Sequence, residues 1–213
     1  MSANRKVYIL GLTGGIASGK SEAAKHLSSL GAMCIDADAI SRAMTAPGGP
    51  LLPAIREAFG DEVFDEEGNL NRRALADVVF ADPMQRRLLD SVTHPAIQKA
   101  MMDDVERAEE EGKPLVVLNV PLLFETGMDA LCDETWLISL DRDKQIERLM
   151  ERDGLTREQA VARIDSQMAL EDKESRATEI IDNRKSLDKL KNELSGLYAA
   201  LEKKLHKLEI ENE

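Results

Sequence analysis

Gly14 Gly15 Ile16 Ala17 Ser18 Gly19 Lys20 Ser21 fits the pattern G-x-x-x-x-G-K-[ST] in full. Glycines let such a loop curl so that successive backbone N–H groups point at phosphate oxygens, and a helix opening near Lys20 adds its positive N-terminal end. Lys20 is then placed to reach the β- and γ-phosphates of a nucleotide, and the Ser21 hydroxyl to ligate Mg²⁺. Ala17 is a non-glycine where a smaller residue is expected, tolerable if its φ is negative.

A second chemical cluster is Asp36 Ala37 Asp38, followed by Ile40 and Arg42. One carboxylate there is suited to accept the proton of an attacking hydroxyl, and the other to orient Mg²⁺ through water. One of the two is also a natural helix N-cap, a role compatible with catalysis. A third cluster is basic within an acidic chain: Arg142, Lys144, Arg148, Arg152, Arg157, Arg163, Lys173 and Arg176. Arg148 and Arg152 are four apart and share a helix face, as nucleotide-contacting arginines of a closing segment would. Interspersed Glu147, Glu151, Glu158 and Asp165 give each single arginine the alternative of a solvated charged face.

These groups need a frame. Residues 7–12 form a short apolar, β-rich run that breaks into the glycines, and residues 20–30 have helical spacing closed by Gly31. Further buried strands are expected over 32–35, 115–120 and 135–140, with a short closing strand over 179–181. Strands alternating with helices imply a mostly parallel sheet covered on both faces, with ligands beyond the carboxyl ends of its strands. The expected fold is α/β: a parallel-sheet core of the P-loop kinase type, an inserted helical acceptor-binding lobe and a helical lid. The core spans 1–44, 114–141 and 178–213, the lobe about 45–113 and the lid about 142–177. The lobe is punctuated by Pro47 Gly48 Gly49 Pro50, Gly60, residues 65–71 and Asp82 Pro83. The lid reads as two helices, 143–150 and 156–168, the second opened by the capping box Thr156 x x Gln159. A last helix over 187–208 carries a leucine stripe from Leu187 to Leu208, too short for a long coiled coil and suited to packing on the core.

With 213 residues the chain is long enough for a sizeable core, and 43% hydrophobic with 32% charged residues excludes a disordered chain. A net charge of −12 offers no basic field to nucleic acid. Cys34 and Cys132 sit in apolar runs and read as small core residues. No 18-residue apolar run or secretory leader is present, so the expectation is a cytoplasmic protein, with no membrane partner and a monomer favoured.

Residues 11–21, Asp36 Ala37 Asp38, Thr93 His94 Pro95, Pro121 Leu122 Leu123 Phe124 Glu125 and Ile181 Asp182 Asn183 occur in the order seen in dephospho-coenzyme A kinases, which the chain resembles from about residue 7 to 183. The resemblance implies ATP-dependent phosphorylation of the ribose 3′-hydroxyl of dephospho-coenzyme A with Mg²⁺. It also implies Asp38 as general base, Lys20 and Arg148 as stabilisers of the transferring group, and Asp36 near the metal. Arg42, His94, Leu122, Leu123, Phe124 and Glu125 would belong to the acceptor side. His94 has the alternative of opening a helix before Pro95, and the Leu122–Phe124 run that of ordinary core.

The chain departs from the family pattern at two places. Asn119 stands where the family usually has Asp; Asn keeps an acceptor oxygen and loses the charge, so Asn119 is not assigned to the metal. Arg184 Lys185 follow Asn183 where a small residue and Gly are common. A nucleoside monophosphate kinase would share the loop, lobe and lid but needs no general base, so the carboxylate pair favours an alcohol acceptor. Of nucleotide-dependent switches, the guanine type typically carries an N-K-x-D motif, absent here, and motor ATPases usually carry an acid where this chain has Asn119.

Overall fold

The computed structural model describes residues 7–211, so residues 1–6 and 212–213 of the expected core segments lie outside the described residues. The elements run β1 (Tyr8–Gly14), α1 (Lys20–Ser29), β2 (Met33–Asp36), α2 (Ala37–Met44), α3 (Leu52–Phe59), α4 (Arg72–Ala81), α5 (Pro83–Glu110), β3 (Leu115–Asn119), β4 (Glu134–Ser139), α6 (Arg142–Asp153), α7 (Arg157–Asp165), α8 (Leu170–Arg176), β5 (Glu179–Asp182) and α9 (Leu187–Glu211). The five strands form one parallel sheet in the order β2-β3-β1-β4-β5.

The described chain divides into two compact units, one made of the segments up to Ile35 and from Val105 onward, the other of Asp36–Asp104. In the first, strand residues of both parities are buried. Leu10, Leu12, Val117, Trp136 and Ile138 pack with Ala23 and Leu27 of α1 and with Leu190, Leu194, Leu201 and Leu205 of α9. Ile9, Val116, Leu118 and Leu137, of the alternate set, are also at 0% exposure. That double burial is why these strands read as continuous apolar runs. Each fully buried leucine of α9 contributes on the order of 1.5–3 kcal/mol, which ties the C-terminal helix to the sheet. The stripe wets at its ends, where Leu187 and Leu208 are each 44% exposed.

Parallel register sets Leu12 opposite both Asn119 and Trp136. β1 runs to Gly14, two residues beyond the expected end, because Thr13 and Gly14 still pair with Leu137 and Ile138 of β4. The strand thereby delivers the phosphate loop directly at its carboxyl end.

The second unit packs its own small core, Leu51, Ile55, Phe59, Val63 and Leu75, against Leu89, Val92, Ala96 and Ile97 of α5. Pro95 lies inside α5, so His94 does not open a helix as the plain alternative had it. The proline lacks the N–H that would bond the Ser91 carbonyl. The helix continues through it, anchored on both sides by the apolar contacts of Val92, Ala96 and Ile97.

The lid segment holds three helices instead of two. α7 stops at Asp165, with Gln167 N bonding back to Ile164 O in a last turn, and α8 begins at Leu170. The sequence Leu170–Arg176 has almost no apolar residues to betray a helix. What ends α7 early is long-range: the Gln167 side chain and the Met168 N–H both bond to distant parts of the same unit. No helix among the described residues is long and apolar enough to cross a membrane.

Candidate active site

The loop from Gly14 to Ser21 turns on a Ser18 N to Gly15 O hydrogen bond of 3.0 Å and hands over to α1, whose first N–H groups bond Gly19 O. Gly19 has φ 98°, and a Cβ on it would run into the Asn183 amide. Ala17 departs from the sequence expectation, since its φ is +59°, the one positive value among the described non-glycine residues. A side chain in that region costs about 1–2 kcal/mol, so the loop stores strain that its surroundings must hold.

Those surroundings are specific. Asn183 Nδ2 donates to Ser18 O at 2.6 Å, and Arg148 Nη1 to Ala17 O at 3.4 Å. Gln145 Nε2 donates to Ile16 O at 3.0 Å, while Ile16 N donates to Gln167 Oε1 at 2.9 Å. On the β3 side, Lys20 Nζ donates to Asn119 Oδ1 at 2.6 Å and Thr13 Oγ1 to Pro121 O at 3.1 Å. The Ser18 hydroxyl, 1% exposed, is buried with no hydrogen-bond partner among the described residues. A cavity of about 380 Å³ opens beside the loop, lined in part by Gly15, Arg142, Gln145, Gln167, Met168 and Lys173.

The paired arginines separate. Arg148 is half-buried against the loop, whereas Arg152 Nε bonds Asp153 Oδ1 at 2.8 Å on the surface, and Arg163 reaches the same carboxylate at 2.9 Å. The Arg152 hydrogen bond holds the Asp153 carboxyl below its usual range. Most of the remaining basic residues of the segment are also paired, Arg142 with Asp165, Arg157 with Asp143 and Arg176 with Asp129. Arg184, at the second departure from the family pattern, folds back on Asp182, with Nε to Oδ1 at 2.8 Å. Hydrogen bonds from Arg184 hold Asp182 below the usual carboxylate range, and Lys144 Nζ fixes the Arg184 carbonyl at 2.8 Å.

In the Leu122–Glu125 stretch, Leu123 and Phe124 are buried at 0% and 3% exposure, Leu122 is half-buried, and Glu125 pairs with Lys173 at 2.8 Å. Of the residues in the second unit, Asp36 caps α2 by accepting from Ala39 N at 2.9 Å. Asp38 and Arg42, one turn apart on α2, are both exposed. His94 Nε2 lies 3.4 Å from Asp90 one turn earlier on α5.

Lys20, Arg148 and the loop thus come together within the first unit, while Arg152 does not join them. Sequence reasoning missed Gln145 and Gln167. The faint signal for Gln145 was an uncharged residue in the densely charged α6, and for Gln167 nothing local distinguished it.

A family model described as dephospho-CoA kinase matches residues 8–189. A dephospho-CoA kinase from Symbiobacterium thermophilum is 46% identical over 192 residues, 90% of this chain and 80% of that protein. One from Anaeromyxobacter dehalogenans is 43% identical over 193 residues, 91% and 92% of the two chains. Among solved structures, a protein from Thermus thermophilus is 37% identical, with a TM-score of 0.79 over 92% of this chain and 99% of that one. The dephospho-CoA kinase from Campylobacter jejuni is 27% identical, with a TM-score of 0.69 over 92% and 97%. With a phosphate loop complete in sequence and braced in structure, and a match that spans both units, the chain belongs to the dephospho-CoA kinase family.

Proposed function

We propose that the chain transfers the γ-phosphoryl group of ATP to the ribose 3′-hydroxyl of dephospho-coenzyme A, giving coenzyme A and ADP. The observation that carries this reading is the family match over residues 8–189, which includes the phosphate loop and Asp36–Asp38. Phosphoryl transfer asks a protein for positioning and for charge at the three equatorial oxygens, with little covalent chemistry of its own. In this reading the backbone N–H groups of Gly14–Ser21 cradle the phosphates. Lys20 and Arg148 meet the negative charge that spreads over the transferring group. Arg148 already bonds the loop, so its guanidinium needs little reorganisation to do so. Asp38, exposed in the first turn of α2, accepts the proton of the attacking hydroxyl. Arg152 is assigned to the nucleotide and would have to leave Asp153 to reach it.

The helical lobe of about residues 45–113 is the acceptor-binding lobe in this proposal, and residues 142–177 are the lid. Arg42, His94, Leu122 and Glu125 belong to the acceptor side, with Leu123 and Phe124 as the packing beneath it. Mg²⁺ would be held by the Ser21 hydroxyl and Asp36. Both are oxygen donors, the ligand type Mg²⁺ takes alongside substrate phosphates and water. When bound, it neutralises charge on the phosphates. The cytoplasm is the compartment this reading assigns.

The test is a coupled ADP-release assay with Mg²⁺-ATP and dephospho-coenzyme A, run beside AMP, CMP, UMP and an acceptor-free control. ADP release that depends on dephospho-coenzyme A supports the proposal. Release only with a nucleoside monophosphate, or only without any acceptor, overturns it.

A further inference from the structure

Ile16 sits at the turn of the phosphate loop, and both polar groups of its backbone are taken by side-chain amides from far along the chain. Its N–H goes to Gln167 Oε1 at 2.9 Å, and its C=O accepts from Gln145 Nε2 at 3.0 Å. The next residue, Ala17, is the one held at φ +59°. A strained residue persists only where its neighbours over-determine it, and here the two glutamines fix the peptide groups immediately before it.

Gln167 is itself held in place. It lies in the connection after α7, followed by Met168, whose N–H donates to Glu125 Oε1 at 3.1 Å. That same oxygen lies 2.8 Å from Lys173 Nζ, and the Lys173 side chain is 1% exposed. A buried lysine is costly unless paired, so the cation and Glu125 constrain one another, and through the Met168 N–H they fix the connection that carries Gln167.

We propose that Gln167 is a positioning residue for nucleotide binding, bracketing Ile16 to keep the phosphate loop in its strained, anion-ready curve, and that the buried Lys173–Glu125 pair sets the position of Gln167. The bracket acts through the loop and touches no reacting atom. This rests on the phosphotransferase reading for its kinetic arm only, because nucleotide affinity is read without any acceptor.

The experiment uses the full chain with Gln167→Met, which keeps length and loses the acceptor oxygen, and Lys173→Met. A fluorescent ADP analogue is titrated against each, thermal unfolding is recorded, and KM and kcat are measured separately for ATP and dephospho-coenzyme A. For Gln167→Met the analogue's Kd and the KM for ATP rise roughly three- to tenfold, the worth of one neutral hydrogen bond. The KM for dephospho-coenzyme A stays within about twofold and the melting temperature within about 2 °C, less than the shift from 1 kcal/mol in a chain of this size. Lys173→Met raises the same nucleotide constants and also lowers the melting temperature. Unchanged analogue binding in Gln167→Met overturns the proposal, as does a rise in both substrates' KM together with a lowered melting temperature, which marks general loosening. If dephospho-coenzyme A is not the acceptor, the ADP titration still decides, so the two readings fail separately.

Discussion

The backbone strain of the phosphate loop yields a matched pair of substitutions with opposite signs, Gly19→Ala and Ala17→Gly. Gly19 has φ 98°, where an added Cβ costs about 1–2 kcal/mol. That Cβ also meets the Asn183 amide, which is buried at 5% exposure and donates to Ser18 O at 2.6 Å. Displacing it forfeits about 0.5–1.5 kcal/mol of net hydrogen bonding. The sum is about 1.5–3.5 kcal/mol, and at about 2–4 °C per kcal/mol for a chain of this size the melting temperature falls roughly 3–14 °C. Ala17→Gly removes the strain at φ 59°, a gain of about 1–2 kcal/mol, set against about 0.5–1 kcal/mol of extra unfolded-chain entropy. It melts at or slightly above the parent temperature. Thermal unfolding followed by circular dichroism, with and without ADP, reads both, and Gly19→Ala also weakens ADP binding because the displaced amide shapes the loop. The strain argument is refuted if Gly19→Ala melts within about 2 °C of the parent, or if Ala17→Gly is the more damaging of the two.

Three further outcomes are expected. With Arg148 in its proposed role toward the transition state, Arg148→Ala lowers kcat by roughly 10²–10³ while the Kd for ADP shifts only a few-fold; single-turnover rates and a binding titration separate the two, and equal losses would contradict the role. Asp38→Asn leaves ADP affinity unchanged and removes phosphoryl transfer by roughly 10²–10⁴, so retained turnover rules out Asp38 as base. The third concerns Tyr8 and Tyr198, the chain's two tyrosines. Burial first, then the Glu202 charge, pushes the Tyr198 phenol up to about 12, and burial raises Tyr8 as well. A folded-state value above the unfolded value of about 10 means that this contribution to stability is complete below pH 10 and is lost as pH rises toward 12. Ultraviolet titration of the native protein therefore shows the Tyr198 phenolate forming well above pH 10, and a midpoint for both tyrosines at the free value would refute the burial.

What the sequence made legible is what neighbouring residues decide among themselves. The strand–loop–helix around Lys20, the capping box of Thr156 and Gln159, and the leucine stripe of α9 are local patterns, and each formed as its pattern demanded. Misreadings came where a distant partner decides. α8 carries no apolar period and is held by Lys173 to Glu125 and Arg176 to Asp129. Pro95 argues locally for a helix start, yet apolar contacts keep α5 unbroken across it. Spacing puts Arg148 and Arg152 on one helix face, and the structure adds the partner of each, the Ala17 carbonyl for the first and Asp153 for the second. The bracket on Ile16 joins residues more than 120 positions apart, a pairing that no window of sequence contains.

Asn119 illustrates how a departure read as a loss acquires a positive role once geometry is known. β3 pairs Asn119 with Leu12, two residues before the loop begins, and its Oδ1 meets Lys20 Nζ at 2.6 Å in a site where Asn119 is 5% exposed. A neutral amide oxygen there orients the ammonium without cancelling its charge. A carboxylate at the same spot would attract the lysine by roughly 6 kcal/mol in gross Coulomb terms at an effective dielectric of about 20, against a desolvation cost of several kcal/mol for a buried ion. The net anchoring of Lys20 would change little, but an incoming phosphate would have to compete with that anion for the same cation. Under the role proposed for Lys20, Asn119 positions the ammonium through a neutral oxygen and adds no carboxylate of its own for an incoming phosphate to displace.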